Sequence, residues 1–152
     1  MWHELLIGAI ASALNICIHA LVMTAVIKSA RAAAVRAAGR HHALFLMAVM
    51  IVTVSVLMAA HVSEVACWSL TYGIVGAAPV GADRMYFAFV NYTTLGYGDI
   101  TPTAGWRLLG PMTAMNGVLL FGWSTAVMFE VLRAAMARTQ IMGGNALENT
   151  LH

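Results

Sequence analysis

Three long apolar runs dominate this chain and restrict it to one kind of environment. They extend from Leu5 to Ile27, from Leu44 to about Leu70, and from Leu108 to Leu132. Each exceeds the roughly 20 residues that an α-helix needs to cross a ~30 Å hydrocarbon core. With 61% hydrophobic and only 9% charged residues, the chain is also far more apolar than a soluble domain of 152 residues. The sequence therefore predicts an all-α membrane protein with three transmembrane helices.

The basic residues predict how these helices are oriented. Most of them follow the first run or the third: Lys28, Arg31, Arg36, Arg40, Arg133 and Arg138. We expect the protein in the plasma or inner membrane of the cell. Because basic residues stay on the cytoplasmic side, the N-terminus is then expected outside and the C-terminus in the cytoplasm. The lipid bilayer is then a partner. A net charge of +2 is too small for a nucleic-acid surface, so no nucleic-acid partner is predicted.

A shorter apolar stretch, RMYFAFVNYTT (residues 84–94), lies between the second and third runs. At ~1.5 Å per residue it reaches only about 16 Å as a helix, which is half of a membrane. Gly76, Pro79 and Gly81 interrupt the chain before it, and Asp83 stands where a helix N-cap is expected. The pattern predicts a re-entrant helix that enters the membrane and returns on the same side.

The next residues, NYTTLGYGDITP (91–102), must lead the chain back out without a helix. Such a segment satisfies its backbone by facing protein or a water-filled path, so its carbonyl groups are available as ligands. Successive carbonyls point at one axis only if the backbone alternates between right-handed and left-handed conformations, and glycine adopts positive φ at little cost. Gly96 and Gly98 fit this requirement. We call the five residues involved the carbonyl segment: Thr94, Leu95, Gly96, Tyr97 and Gly98.

The heptapeptide TTLGYGD, residues 93–99, resembles the signature that ends the pore loop of potassium channels. The resemblance implies a subunit that conducts K⁺ passively through a selectivity filter of backbone carbonyls, with the hydroxyl of Thr94 as a further ligand and with no catalysis and no cofactor. One chain carries a single copy of the signature, so a closed ring needs four and a homotetramer is expected. The alternatives are a weakly selective cation channel and a non-conducting membrane interaction subunit.

The same resemblance implies roles for residues around the filter. Tyr86 and Phe87 stand where such channels place an aromatic cuff, which here would pack on Tyr97, and Thr93 is assigned to the filter support as well. The side chains of Leu95 and Tyr97 are expected to point away from the pore axis.

Asp99 is expected at the outer mouth, where four carboxylates would gather cations. Some members of the family place a glutamate behind the filter to pair with this aspartate, but the corresponding residue here is Val90. We therefore expect Asp99 to be held by Trp106 or by backbone N–H groups, and we expect no slow filter closure that depends on the missing pair.

The resemblance also divides the chain. Residues 1–42 are expected to form an additional N-terminal helix and a basic linker, 43–138 the pore domain with its outer and inner helices, and 139–152 a cytoplasmic tail. Gly117 and Gly122 on the inner helix align with a hinge glycine and a second small site. Close packing of small residues is an equally good interpretation of these two glycines.

Several polar residues interrupt the apolar runs. A stripe at helical spacing marks the first run: Ser12, Asn15 and His19. Because polar groups facing lipid are costly, this stripe should face protein through interhelical hydrogen bonds, with proton sensing by His19 as the alternative. His61 and Glu64 share a face of the second run, and two ligands are too few for a metal site. Anchoring at the membrane interface beside Trp68 is the preferred interpretation.

Overall fold

The computed structural model describes the backbone of residues 1–36 and 42–148 and the side chains of residues 1–32 and 43–136. Its elements are α1 (Trp2–Arg36), α2 (His42–Val75), α3 (Arg84–Tyr92) and α4 (Leu109–Glu148). Across the described backbone there is no β-strand. Three of the described helices are long and apolar enough to cross a membrane, over Trp2–Ala32, Ala43–Val75 and Leu109–Met136. The predicted all-α, multi-pass membrane fold is confirmed.

The long helices extend beyond the apolar runs. α1 continues past Ile27 to Arg36 through an alanine-rich sequence, because alanine has the highest helix propensity of all residues. Its basic residues therefore lie on the same helix as the first apolar run, while Arg40 of the predicted linker lies outside the described residues. α4 likewise continues to Glu148, so no helix end marks the predicted boundary at residue 138.

One compact unit comprises Met1–Leu21 and Ala59–Trp123. Its apolar core includes Trp68, Tyr72, Phe87 and Leu109, all at most 1% exposed. The rings of Tyr72 and Phe87 have centroids 5.0 Å apart, which fixes α3 against α2. These contacts bury one face of α3 in protein, as a helix too short to cross the membrane requires.

The loop before α4 is attached to the start of α1. The backbone N–H of Leu108 donates to a carboxylate oxygen of Glu4 at 3.0 Å, and His3 Nε2 lies 3.2 Å from the carbonyl oxygen of Gly105. The first N–H groups of a helix have no partner within the helix, and the helix dipole favours a negative charge there. Glu4 thus caps α4 from another helix, a role that its sequence position did not indicate.

The second compact unit comprises Val22–Met58 and Ser124–His152. An apolar cluster forms its core: Met23, Val26, Leu57, Val127 and Val131. Glu130 and Arg133, three residues apart on α4, form an ion pair at 3.4 Å, and Arg31 of α1 lies at the same distance from the other carboxylate oxygen. Pairs this exposed contribute at most about 1 kcal/mol, so the apolar cluster stabilises the unit.

Candidate functional site

Helix α3 positions the carbonyl segment. Asp83 caps its start by accepting hydrogen bonds from the N–H groups of Met85 at 2.9 Å and Tyr86 at 3.1 Å, which confirms the predicted N-cap. The helix ends at Tyr92, with Thr93 as its C-cap. The predicted helix over residues 84–94 was therefore two residues too long, because Thr94 leaves the helical region with φ of 59°.

Positive φ recurs at every second residue of the carbonyl segment. φ is 59° at Thr94, 60° at Gly96 and 78° at Gly98, whereas neither Leu95 nor Tyr97 between them has positive φ. This is the alternation that the sequence predicts for Gly96 and Gly98. It begins two residues earlier than expected, at Thr94. A β-branched residue with positive φ is strained, and strain of this kind is concentrated at functional sites.

The beginning of the carbonyl segment is bound to the last turn of α3. The N–H of Thr94 donates to the carbonyl of Asn91 at 3.0 Å, and that of Leu95 to the carbonyl of Val90 at 2.9 Å. The hydroxyl of Thr93 donates to the carbonyl one turn back at 2.7 Å. These bonds hold the strained Thr94 conformation in place while leaving its own carbonyl outside the helix.

The side chains of the carbonyl segment are uncovered in the single chain. Leu95 is 53% exposed and Tyr97 68% exposed, and every residue from Thr93 to Asp99 is exposed. Phe87 packs on Tyr72 within the core, and its predicted support of Tyr97 stays a prediction. Large exposed apolar side chains at one place mark a surface suited to contact with lipid or with another chain.

Asp99 is held by Tyr86. The hydroxyl of Tyr86 donates to a carboxylate oxygen of Asp99 at 2.8 Å. This bond to the ionised carboxylate, together with the negative charge of Asp99, raises the pKa of Tyr86, so the hydroxyl remains a donor throughout the neutral range. Among the described residues Tyr86 thus takes the place of the expected partners, Trp106 or backbone N–H groups, and the ring of Trp106 instead packs edge-on against His3, with centroids 4.9 Å apart.

Gly117 lies where α4 meets the end of α3. A Cβ atom at this position would overlap the backbone carbonyl of Tyr92, so only glycine permits the observed approach. A Cβ at Gly122 would meet nothing within 4 Å. The helix is continuous through both residues. Close packing is thus the observed role of Gly117, and hinge motion at either glycine stays a prediction.

A polar cluster lies behind α3, formed by residues of three helices. His19 Nδ1 is 2.7 Å from one carboxylate oxygen of Glu64, and His61 Nδ1 is 3.0 Å from the other. The hydroxyl of Tyr92 donates to the second oxygen and lies 2.9 Å from His61 Nδ1. The side chains of His19 and Glu64 are fully buried. We call His19, His61 and Glu64 the histidine–glutamate cluster.

Hydrogen bonds extend this cluster to α4. Asn15 Nδ2 donates to Asn116 Oδ1 at 3.1 Å and to the backbone carbonyl of Glu64 at 3.3 Å, and Trp68 Nε1 donates to the same Asn116 oxygen at 3.1 Å. The prediction that the α1 stripe makes interhelical hydrogen bonds is confirmed for Asn15. Interfacial anchoring by His61 and Glu64 beside Trp68 is wrong, because Glu64 and Trp68 are 0% exposed within the protein.

Sequence reasoning did not identify Tyr92, Trp68 or Asn116 as members of this network. The available signal was the presence of polar and ionisable residues inside apolar runs, which is rare unless they pair with one another. That signal marks each residue separately. Which of them meet depends on the helix faces in contact, and a single sequence does not specify those faces.

Comparison with known protein families found a match. Residues 60–134 match the family Ion_trans_2, described as an ion channel. The matched residues cover the C-terminal part of α2 from Ala60, all of α3 and the first part of α4, and thus include the carbonyl segment. Neither a search of curated proteins nor a search of solved structures found a match. The family match supports an ion channel.

Proposed function

We propose that this protein is a subunit of a potassium-selective channel that conducts K⁺ passively across the membrane. The observation that carries the proposal is the alternating φ of the carbonyl segment, directly after a short capped helix between two helices of membrane-spanning length. Alternation turns successive carbonyl groups toward one side, where they replace the hydration shell of a cation. The family match over residues 60–134 supports the ion-channel part of this proposal.

Two further features favour a cation in this pore. The C-terminal end of α3, which carries the partial negative charge of the helix dipole, directly precedes the carbonyl segment. The carboxylate of Asp99 follows the segment and is fixed by Tyr86. A cation is thus attracted from both ends of the carbonyl segment, and these electrostatic terms raise its local concentration without specifying K⁺ over Na⁺.

The pore is proposed to form from four chains. One carbonyl segment supplies one wall of a filter, and the chain has one such segment. The exposed side chains of Leu95 and Tyr97 give each segment a surface for contact with a neighbouring subunit. Burial of these side chains in a ring of four would hold the carbonyl oxygens at a fixed distance from the axis.

Flux from liposomes tests the proposal. We expect purified wild-type protein to release K⁺ down its gradient, and Gly96→Ala and Tyr97→Ala to abolish that release, since the first removes the positive-φ residue and the second the side chain that supports the ring. Equal release of Na⁺ would identify a weakly selective cation channel instead. The absence of any flux from correctly assembled wild-type protein would identify a non-conducting membrane subunit.

Tyr86→Phe tests the part played by the bond to Asp99. The hydroxyl of Tyr86 lies at the surface, so we expect its removal to leave assembly unchanged. Asp99 then loses the hydrogen bond that fixes it, and we expect currents that decline with time during sustained K⁺ conduction. Sustained currents in the variant, equal to those of wild type, would show that this bond does not stabilise the filter.

A further inference from the structure

We propose that the histidine–glutamate cluster is a binding site for a divalent transition-metal ion of the Zn²⁺ class. The site joins α1, which supplies His19, to α2, which supplies His61 and Glu64. It lies against the last residue of α3, Tyr92, and is separate from the carbonyl segment. The inference goes beyond the proposed function, because it requires no ion conduction.

The geometry is close to that of a metal site. The nitrogen and oxygen atoms that the three residues offer all lie within 4.8 Å of one another. Zinc binds such atoms at roughly 2.0–2.2 Å in a tetrahedral arrangement, which separates the ligands by about 3.3–3.5 Å. The two contacts to Glu64 measure 2.7 and 3.0 Å. The Glu64 contacts therefore lengthen by about half an ångström to admit the ion, and any pair of ligand atoms farther apart than the tetrahedral separation, up to the 4.8 Å limit, closes toward it.

The donor set selects the class of ion. Two imidazoles and one carboxylate are a common set for zinc, whereas Ca²⁺ and Mg²⁺ prefer sites made entirely of oxygen atoms. Three protein ligands leave a fourth position, which the hydroxyl of Tyr92 or a water molecule is placed to fill. A divalent ion also compensates the charge of the fully buried Glu64 carboxylate more strongly than neutral hydrogen-bond donors do.

Metal binding requires a change of histidine tautomer. In the structure the Nδ1 atoms of His19 and His61 face carboxylate oxygens, which requires a proton on each Nδ1 when Glu64 is ionised. To bind the ion through the same atoms, each ring gives up its Nδ1 proton, and a ring that is neutral places it on Nε2. Glu64 exchanges its hydrogen bonds from the two histidines for one metal bond, so a site with neutral histidines releases no net proton.

An unpartnered acceptor lies next to the cluster. Asn116 Oδ1 accepts from Trp68, so the Asn15 atom that faces it must be the donor Nδ2, and this assigns the Asn15 amide. Asn15 Oδ1 is then left buried without a hydrogen-bond partner among the described residues, although the side chain is 0% exposed. Asn15 precedes His19 by one helical turn, and its free oxygen is suited to accept from a metal-bound water.

Direct zinc binding tests the proposal. Full-length protein, washed with chelator in detergent, is titrated with Zn²⁺ against a chromophoric competitor, and His19→Gln and His61→Gln are compared with His3→Gln. His3 is the matched control, because it also lies on α1 and contacts Gly105 and Trp106 rather than the cluster. We expect one tight Zn²⁺ per chain in wild type and in His3→Gln, and at least about a 100-fold loss of affinity in the other two. Equal affinities in all four proteins would overturn the proposal.

Two measurements on the wild type keep the test decisive if the cluster variants fail to fold. A ligand that binds the folded state raises the unfolding temperature, so we expect Zn²⁺ to stabilise wild type. X-ray absorption at the zinc edge should show only nitrogen and oxygen ligands, two of them imidazoles. No stabilisation by Zn²⁺, or sulfur from Cys67 bound to the ion, would contradict the proposed site and leave the proposed channel function unaffected.

Discussion

Gly98→Ala is expected to abolish K⁺ flux, whereas Gly81→Ala is expected to leave flux at the wild-type level. The two glycines are closely matched, with φ of 78° and 82° and with no atom within 4 Å of an added Cβ in either case. Alanine at either position therefore costs about 1–2 kcal/mol of backbone strain and causes no steric overlap. In the proposed channel, relief of the strain at Gly98 would turn a carbonyl group of the carbonyl segment away from the pore axis. Relief at Gly81 changes only the turn before α3.

The measurement is flux from liposomes that contain equal amounts of assembled protein, together with thermal unfolding of both variants. Similar unfolding temperatures with a large difference in flux are the expected result. If Gly81→Ala lost flux to the same extent as Gly98→Ala, strain in general would explain the loss. Flux retained by Gly98→Ala would remove the need for left-handed backbone at this position.

Gly117→Ala is expected to destabilise the protein strongly, and Gly122→Ala is not. The added Cβ at Gly117 would overlap the carbonyl of Tyr92, a backbone atom that the end of α3 fixes in place. Overpacking of this kind typically costs 1–3 kcal/mol, and each of the proposed four subunits would bear it. Gly122 has open space in the described chain, so alanine there should instead stabilise α4 by roughly 0.5–1 kcal/mol.

This difference is measured by heating each protein and using size-exclusion chromatography to find the temperature at which the proposed tetramer dissociates. We expect Gly117→Ala to dissociate at a markedly lower temperature than wild type and Gly122→Ala to dissociate at or above the wild-type temperature. If Gly117→Ala dissociated at the wild-type temperature, α4 and α3 could move apart without loss of stability. That result would contradict the close approach seen at Gly117.

The spanning helices and the short helix α3 were predictable from the sequence because each depends on local information. Apolar run length fixes α1, α2 and α4, while Asp83 and the glycines before it fix the start of α3. The predicted ends of the helices were less accurate. At the end of α1, for example, the alanine-rich sequence keeps a high helix propensity after the apolar run has stopped. Within the carbonyl segment, positive φ was predictable at Gly96 and Gly98 but not at Thr94, where the residue type argues against it.

The contacts around the candidate site were not predictable, because they join residues that are distant in the sequence. Asp99 has its partner thirteen residues away in Tyr86, and Glu64 has one of its partners in His19 of another helix. From residue type alone, it was reasonable to expect Trp106 as the partner of Asp99 and the membrane interface as the location of Glu64. The roles of Phe87 and Gly122 in a tetramer involve surfaces between chains and stay predictions.

The reversal potential of wild-type protein in a planar bilayer, with K⁺ on one side and Na⁺ on the other, tests the central claim most directly. If four carbonyl segments replace the hydration shell of K⁺, the current should reverse far from zero, at a potential that opposes K⁺ flow out of the K⁺ compartment. Reversal near zero, with K⁺ and Na⁺ carrying similar currents, would contradict the account.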